Sequence, residues 1–154
     1  MAGRAKNSTK IVASLVDTNI LIYRVDPRDP WKRDAARKLL RQGAESGEIR
    51  IAHQSLVEFM NAAMRLRAGS APILGLEDAT RQVEFFMSEF TVLYPDEKVF
   101  RLALLGIATY RLAWFDAHLW AYAEHYGLRE ILSEDFQDGR LYGTVRVRNP
   151  FVNL

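Results

Sequence analysis

Short apolar runs alternate with longer segments of helical spacing along most of this chain. Apolar runs typical of strands lie at residues 11–16, 49–52, 91–93, 131–132 and 144–147. Helical spacing and helix-terminating residues predict helices over residues 31–45, 55–67, 77–89, 96–110 and 116–126. Strands that alternate with helices favour an α/β fold, namely a three-layer α/β/α domain with a mainly parallel central sheet. The strand at residues 144–147 is expected at an edge of that sheet.

Length and composition indicate one globular domain. The chain has 154 residues, of which 49% are hydrophobic, enough for a substantial core. It contains no cysteine, which excludes disulfides, zinc–thiolate sites and thiol nucleophiles and fits a cytoplasmic protein. Residues 1–10 are polar and basic, and we expect a flexible leader there, followed by a single domain over residues 11–154. The apolar run after the leader ends too soon for a signal peptide, and no segment has the length of a membrane span.

Four carboxylates occupy positions that an α/β fold gathers at one edge of its sheet. Asp17 directly follows the first apolar run, and Asp135 closely follows the run at residues 130–133. Glu58 and Asp116 lie near the beginnings of two helical segments. Ligands of parallel sheets bind outside the carboxyl ends of the strands, and carboxylates that meet there repel one another unless a cation or proton lies between them. These residues, the acid quartet, therefore predict a site for Mg²⁺ or Mn²⁺ and phosphate chemistry.

Each acid also has a structural explanation. Ser55 and Glu58 match a capping box, in which Glu58 would accept from the backbone N–H of Ser55. Asp116 fits a helix N-cap, and Asp17 and Asp135 fit turns. For any one acid the structural explanation is the better one, and it is the conjunction of four that favours a metal site. The three histidines of the chain share no convincing metal-ligand spacing.

The segments around the acid quartet resemble the PIN-domain ribonucleases, and most specifically the VapC-type toxins of bacterial toxin–antitoxin pairs. In order they are Val16-Asp17-Thr18-Asn19-Ile20-Leu21-Ile22-Tyr23, Gln54-Ser55-Leu56-Val57-Glu58-Phe59, Phe115-Asp116-Ala117-His118-Leu119, and Ile131-Leu132-Ser133-Glu134-Asp135-Phe136-Gln137-Asp138-Gly139 with the tail Arg148-Asn149-Pro150-Phe151. The resemblance covers nearly the whole chain, from about residue 11 to residue 151. One departure is His118, which stands where an aliphatic residue is usual.

The resemblance implies a PIN-like nuclease domain that cleaves RNA with Mg²⁺ or Mn²⁺. It implies that Asp17, Glu58, Asp116 and Asp135 are both the catalytic residues and the metal ligands. Supporting positions would be Thr18, Asn19, Ser133 and, as an outer acid, Asp138, whereas Glu134 is expected to face away or to cap the turn. The implied partners are an RNA substrate, a cognate antitoxin held in a groove along residues 31–67, and a second copy in a homodimer, with no membrane.

A cluster of basic residues is the sequence's candidate for holding RNA beside an acidic site. The formal net charge is only +2, so distribution matters more than total charge. The members are Arg24, Arg28, Lys32, Arg33, Arg37, Lys38 and Arg41. Phosphate contacts would use them, although a solvated helix face is the better explanation for any single member.

Two other functions remain open. The first is a different Mg²⁺-dependent phosphoryl-transfer domain, such as a phosphatase or receiver, which needs a lysine near its acids. The sequence places no lysine beside Asp116 or Asp135, and Lys98 is the nearest candidate along the chain. The second is a non-catalytic RNA-binding module of PIN fold, which should have lost at least one acid, whereas this chain keeps all four.

Overall fold

The computed structural model describes residues 12–152, and the predicted leader lies outside them. The strands are β1 (Ser14–Val16), β2 (Ile49–Ala52), β3 (Thr91–Leu93), β4 (Glu130–Leu132), β5 (Leu141–Tyr142) and β6 (Val145–Arg148). The helices are α1 (Thr18–Tyr23), α2 (Pro30–Ser46), α3 (His53–Ala63), α4 (Leu76–Glu89), α5 (Glu97–Tyr110) and α6 (Trp114–His125). Among the described residues, no helix combines the length and apolar character that crossing a bilayer requires.

The strands form one sheet in the order β3-β2-β1-β4-β6-β5. Every pair is parallel except β5 with β6, which confirms the predicted α/β fold with a mainly parallel sheet. The prediction that residues 144–147 form an edge strand was wrong. β5 pairs with the outer side of β6, and this strand is too short, at two residues, to produce a recognisable apolar pattern.

Successive residues along each central strand point to opposite faces of the sheet, and each face carries its own helices. Leu15 and Ile131 pack on the face covered by α5 and α6, together with Trp120. Val16 and Leu132, their neighbours along the strands, pack on the face covered by α1 to α4. This alternation of buried side chains is the period of two of a β-strand, and it makes the domain three layers thick.

Two helices begin earlier than their sequence signals predict. α3 begins at His53 with Ala52 as its N-cap, so the predicted capping box of Ser55 and Glu58 is wrong. α6 begins after the N-cap Ala113, and Asp116 lies within its first turn instead of capping it. Neither N-cap offers a side-chain hydrogen bond, which explains why capping residues in the sequence misplaced both starts. Glu58 and Asp116 are therefore left without the structural roles that would have explained them.

Gly43 allows α2 to approach the sheet closely. A methyl group added at Gly43 would overlap the Cδ1 of Ile49 and lie 2.5 Å from its Cγ1. Gly43 and Ile49 are both buried. The contact fixes the distance between α2 and β2 on the face that also carries α1.

We expect Gly43→Ala to destabilise the fold by about 1–2 kcal/mol in urea or thermal unfolding, because overpacking outweighs the gain in helix propensity. The exposed neighbouring change Gln42→Ala should lie within about 0.5 kcal/mol of the parent. Ile49→Val removes the overlapping Cδ1. It should therefore lower the stability of the Gly43→Ala variant by less than it lowers the stability of the parent. Strictly additive effects would contradict the close contact.

Candidate functional site

The candidate site lies beside β1, from which the chain places β2 and β3 on one side of the sheet and β4 to β6 on the other. β1 lies between β2 and β4, and the register pairs Val16 with Leu132 at the carboxyl ends of the two strands. The backbone N–H of Asp17 donates to the carbonyl of Leu132 at 2.9 Å, so the pairing continues into the first acid. Such a reversal of the strand order opens a crevice at the strand ends of a parallel sheet. Asp17 after β1 and Asp135 after β4 are thereby brought to one place.

Asp17 is buried and bonded to neutral donors. Its Oδ1 accepts from the backbone N–H of Thr18 at 2.6 Å, which caps α1, and its Oδ2 accepts from the hydroxyl of Ser133 at 2.6 Å. Only 7% of Asp17 is exposed. Burial raises the pKa of Asp17 to about 7, and the charges of Asp135 and Asp116 act in the same direction, while the two hydrogen bonds oppose them.

One amide connects the two acids that follow the strands. The Nδ2 of Asn19 lies 3.0 Å from the Oδ2 of Asp135, 3.2 Å from the Oγ of Ser133 and 3.4 Å from the Oδ2 of Asp17. Ser133 also accepts from the backbone N–H of Asp135 at 3.0 Å. The structure thus brings the predicted supporting residues Asn19 and Ser133 into contact with both acids.

Glu58 reaches the same edge from the middle of α3. Its Oε2 accepts from the hydroxyl of Thr18 at 3.2 Å, and its Oε1 accepts from the Nε2 of Gln54 at 2.5 Å. The same amide of Gln54 donates to the backbone carbonyl of Phe115, the residue before Asp116. Gln54 therefore links α3 to α6 beside the site. Sequence reasoning missed this role, although the spacing of four residues on one helix face was a usable signal.

Asp116 completes the convergence from the first turn of α6. Burial, followed by the charges of Asp135 and Glu58, raises the pKa of Asp116. The coupling shows that acids from four separate segments lie close enough to repel one another. Burial also lowers the pKa of His118, which lies one half-turn further along the helix.

The acid quartet has no cationic partner within residues 12–152. Each ion pair in this part of the chain involves other residues. In the same part, no three Asp, Glu or His side chains stand in an arrangement that holds a metal ion. The donor chemistry nevertheless fits a hard dication, since all four side chains are carboxylates. These carboxylates repel one another and have no cationic partner among the described residues. The fit is one of chemistry and location.

The two other acids of the fourth signature segment have different partners. Asp138, predicted as an outer acid, accepts from the backbone N–H of Asn149 at 2.7 Å and so anchors the tail. Glu134 pairs with Lys32 at 2.7 Å and accepts from the hydroxyl of Tyr23. Both therefore have structural partners outside the acid quartet.

The Lys32–Glu134 pair corrects one inference from the sequence. No lysine was expected beside Asp135, yet Lys32 from α2 reaches the residue next to it. The ammonium is committed to Glu134 and Tyr23, and these contacts raise its pKa. The absence of a nearby lysine is therefore no argument against a receiver-like function.

The basic cluster is partly engaged within the protein. Arg28 pairs with Asp26 at 2.5 Å, and Arg37 donates to the backbone carbonyl of Arg24 at 2.9 Å. The guanidinium of Arg24 stacks on Phe85 at 4.4 Å from the ring centroid. The predicted cluster is therefore less available to RNA than its count of charges suggested.

The sequence profile of the PIN domain matches residues 14–140. The chain belongs to the PIN-domain family. This confirms the resemblance stated from the four signature segments, and the match spans all four acids of this PIN domain. A comparison with curated proteins gives no match.

Solved structures similar to this PIN domain include a toxin–antitoxin complex, a DNA-bound VapBC complex and a VapC toxin. A toxin–antitoxin complex from Klebsiella pneumoniae is 20% identical, with a TM-score of 0.64, covering 90% of this chain and 98% of that one. DNA-bound VapBC from Salmonella typhimurium is 17% identical, with a TM-score of 0.65 and the same coverages, 90% and 98%. VapC20 of Mycobacterium tuberculosis, a toxin that cleaves the sarcin–ricin loop, is 14% identical, with a TM-score of 0.63, covering 80% and 92%. At these identities the likeness establishes the shared fold.

We expect the stability of the metal-free protein to fall as pH rises, because the pKa of Asp17 is about 7 when folded and 3.8 otherwise. Between pH 3.8 and pH 7 the folded state keeps a proton that the unfolded chain has lost, so stability falls through this range, and the full penalty remains above pH 7. Asp17→Asn lacks this penalty. Between pH 4 and pH 8 its free energy of unfolding should therefore rise relative to that of the parent by up to about 4 kcal/mol, at about 1.4 kcal/mol per pKa unit.

The measurement is urea unfolding in EDTA across that pH range. Asp34→Asn removes an exposed carboxylate of α2 and should show no such gain. A pH-independent difference between Asp17→Asn and the parent would contradict the elevated pKa of Asp17.

Proposed function

We propose that this PIN domain is an Mg²⁺- or Mn²⁺-dependent endoribonuclease and the toxin of a toxin–antitoxin pair. The observation that carries the proposal is the convergence of the acid quartet, from four separate segments, without a cationic partner in the described residues. A buried carboxylate in that condition is costly unless a cation or a proton joins it. Similarity to VapC20, a toxin that cleaves an RNA loop, supports RNA as the substrate.

In this proposal Asp17, Glu58, Asp116 and Asp135 hold the dication. When bound, such an ion offsets the charge of the scissile phosphate and makes water a better nucleophile. Thr18, Ser133 and Asn19 orient the carboxylates through the hydrogen bonds described above. Asp116 or Asp135 orients the attacking water or takes its proton. The water oxygen then bonds to phosphorus in line with the bond from phosphorus to one ribose oxygen, which breaks, and the leaving oxygen takes up a proton from solvent.

The partners are part of the same proposal. The similar structures are toxin–antitoxin assemblies, which supports a cognate antitoxin for this chain, and a homodimer and a cytoplasmic location are further parts of the proposal. The expected antitoxin groove lies along residues 31–67. Within it Leu40 and Phe59 are buried in the core, so they are not available to an antitoxin, whereas Leu39 and Met60 are only partly buried.

We expect Asp17→Asn and Asp116→Asn each to lower the rate of RNA cleavage by at least about 100-fold, as loss of a group needed in the transition state does. The measurement uses labelled RNA with Mg²⁺ or Mn²⁺, and circular dichroism confirms folding. Asp78→Asn, an exposed acid of α4 paired with Arg81, is the matched control and should leave the rate unchanged.

A parallel assay with a phosphomonoester separates the proposal from a phosphatase or receiver. Hydrolysis of the monoester with intact RNA would favour those functions. Full RNA cleavage by Asp17→Asn, with the metal still required, would contradict the role of the acid quartet.

We expect calorimetric titration to show uptake of Mn²⁺ by the parent and none by Asp17→Asn, because the variant loses a ligand in an all-carboxylate site. Asp138→Asn should retain uptake, since Asp138 is bonded to the backbone of Asn149. Absence of uptake by the parent would instead support the non-catalytic RNA-binding module.

A further inference from the structure

A pocket of about 500 Å³ adjoins the acid quartet and plays no part in the chemistry described above. It lies between α3, the start of α5 and the first half of α6. Glu58 belongs both to the pocket and to the acid quartet, and Phe115 and His118 stand on either side of Asp116 in the sequence. The volume is within the roughly 300–1,000 Å³ range of pockets that bind small organic groups. Anything bound in it would sit next to the carboxylates.

Aromatic rings form most of the wall. Trp114 lies edge-to-face with Phe100, at 5.3 Å between centroids, and with His118 at 5.2 Å. His118 also lies edge-to-face with Tyr122, at 5.9 Å between centroids, and Tyr122 lines the pocket and is buried at 1% exposure. Phe100 is 49% exposed and Phe115 is 61% exposed. Large apolar side chains exposed together around a concavity mark a binding surface.

Gln54, one of the residues that line the pocket, has a polar atom without a partner among the described residues. The Nε2 of Gln54 donates to Glu58 and to the carbonyl of Phe115, and these contacts fix which end of the amide is nitrogen. Its Oε1 is buried and, within residues 12–152, has no hydrogen-bond partner. Buried acceptors are normally satisfied, so this oxygen calls for a donor from a ligand or from water.

We infer that this aromatic pocket binds an unpaired nucleobase of the RNA, next to the phosphodiester bond that is cut. The inference rests on the proposed ribonuclease function. Bases stack on aromatic side chains, and their edges carry N–H groups suited to the oxygen of Gln54. An aliphatic or aromatic side chain from a protein partner would fill the apolar part but would leave that oxygen unpaired. A base held here places its own backbone phosphate beside Glu58 and Asp116.

The test uses a short single-stranded RNA that contains a cleavage site mapped in a random-sequence pool, and copies with one abasic nucleotide on either side of that site. We expect Trp114→Ala and Phe100→Ala to lower kcat/KM about tenfold or more on the intact RNA, as loss of a stacking partner does. One abasic copy should show a similar loss with the parent protein. On that copy the parent and Trp114→Ala should be equally active, because the two changes remove the same contact.

Matched controls separate the loss of base stacking from a general loss of structure. Leu105→Ala changes an apolar residue of the same helix as Phe100, 54% exposed and outside the pocket, and should leave kcat/KM unchanged. Uptake of Mn²⁺ should be the same in the parent, Trp114→Ala and Phe100→Ala, which shows that the acid quartet is intact. Phe100 is the more exposed of the two aromatic residues, so its variant tests the site even if Trp114→Ala folds poorly.

The outcomes that contradict the inference are distinct from failure of the proposed function. If the parent cleaves RNA and Trp114→Ala and Phe100→Ala cleave it equally well, only the base pocket is wrong. The same holds if the losses caused by the abasic nucleotide and by Trp114→Ala are additive. It also holds if sedimentation shows that Trp114→Ala dissociates a dimer, because the pocket would then bind a second copy of the chain. If the parent cleaves no RNA with either metal, the ribonuclease function fails and the base pocket with it.

Discussion

Uncompensated negative charge at the sheet edge is the constraint on which the rest of this structure depends. Asp17 is buried where β1 meets β4, and within the described residues its hydrogen-bond donors are neutral groups. A lysine or arginine in that place would satisfy the carboxylate permanently and leave no reason for a cation to bind. Neutral donors hold the oxygens in position while leaving their charge unbalanced. Burial and the neighbouring acids raise the pKa of Asp17 as a consequence, and this is a cost in stability to the folded protein.

The same contacts build the fold and the site. Asp17 caps α1 through the N–H of Thr18, and the hydroxyl of Thr18 then reaches Glu58 on α3. Ser133 connects the end of β4 back to Asp17. The bonds that start α1 therefore also orient the acids. Asp17 directly follows β1, Glu58 and Asp116 lie on helices, and Asp135 lies in the loop after β4, where its backbone N–H is bonded to Ser133.

The sequence predicted what is local and missed what joins distant segments. Five of the six strands follow from periodicity, and the signature segments named Asn19 and Ser133, which the structure brings into contact with Asp17 and Asp135. Their role in catalysis stays a prediction. The starts of α3 and α6 do not follow from the sequence, because Ala52 and Ala113 carry no capping side chain. The Lys32–Glu134 pair joins residues 102 positions apart, and no local pattern encodes such a contact. The aromatic pocket is of the same kind, since three helices each supply part of it.

In the proposed ribonuclease, selectivity for one RNA must come from groups outside the acid quartet, because carboxylates and a dication can act on any phosphodiester bond. Charge is a poor source of it here, since Arg28 and Lys32 are already paired with Asp26 and Glu134. Phosphate contacts would in any case hold all RNA sequences alike. Base edges and faces carry the sequence information in single strands, and reading them needs aromatic surface and unpaired polar atoms near the scissile bond. In the described part of this chain both occur together between α3, α5 and α6, within reach of Glu58. That wall is therefore where substitutions can change which RNA is cut without changing how it is cut.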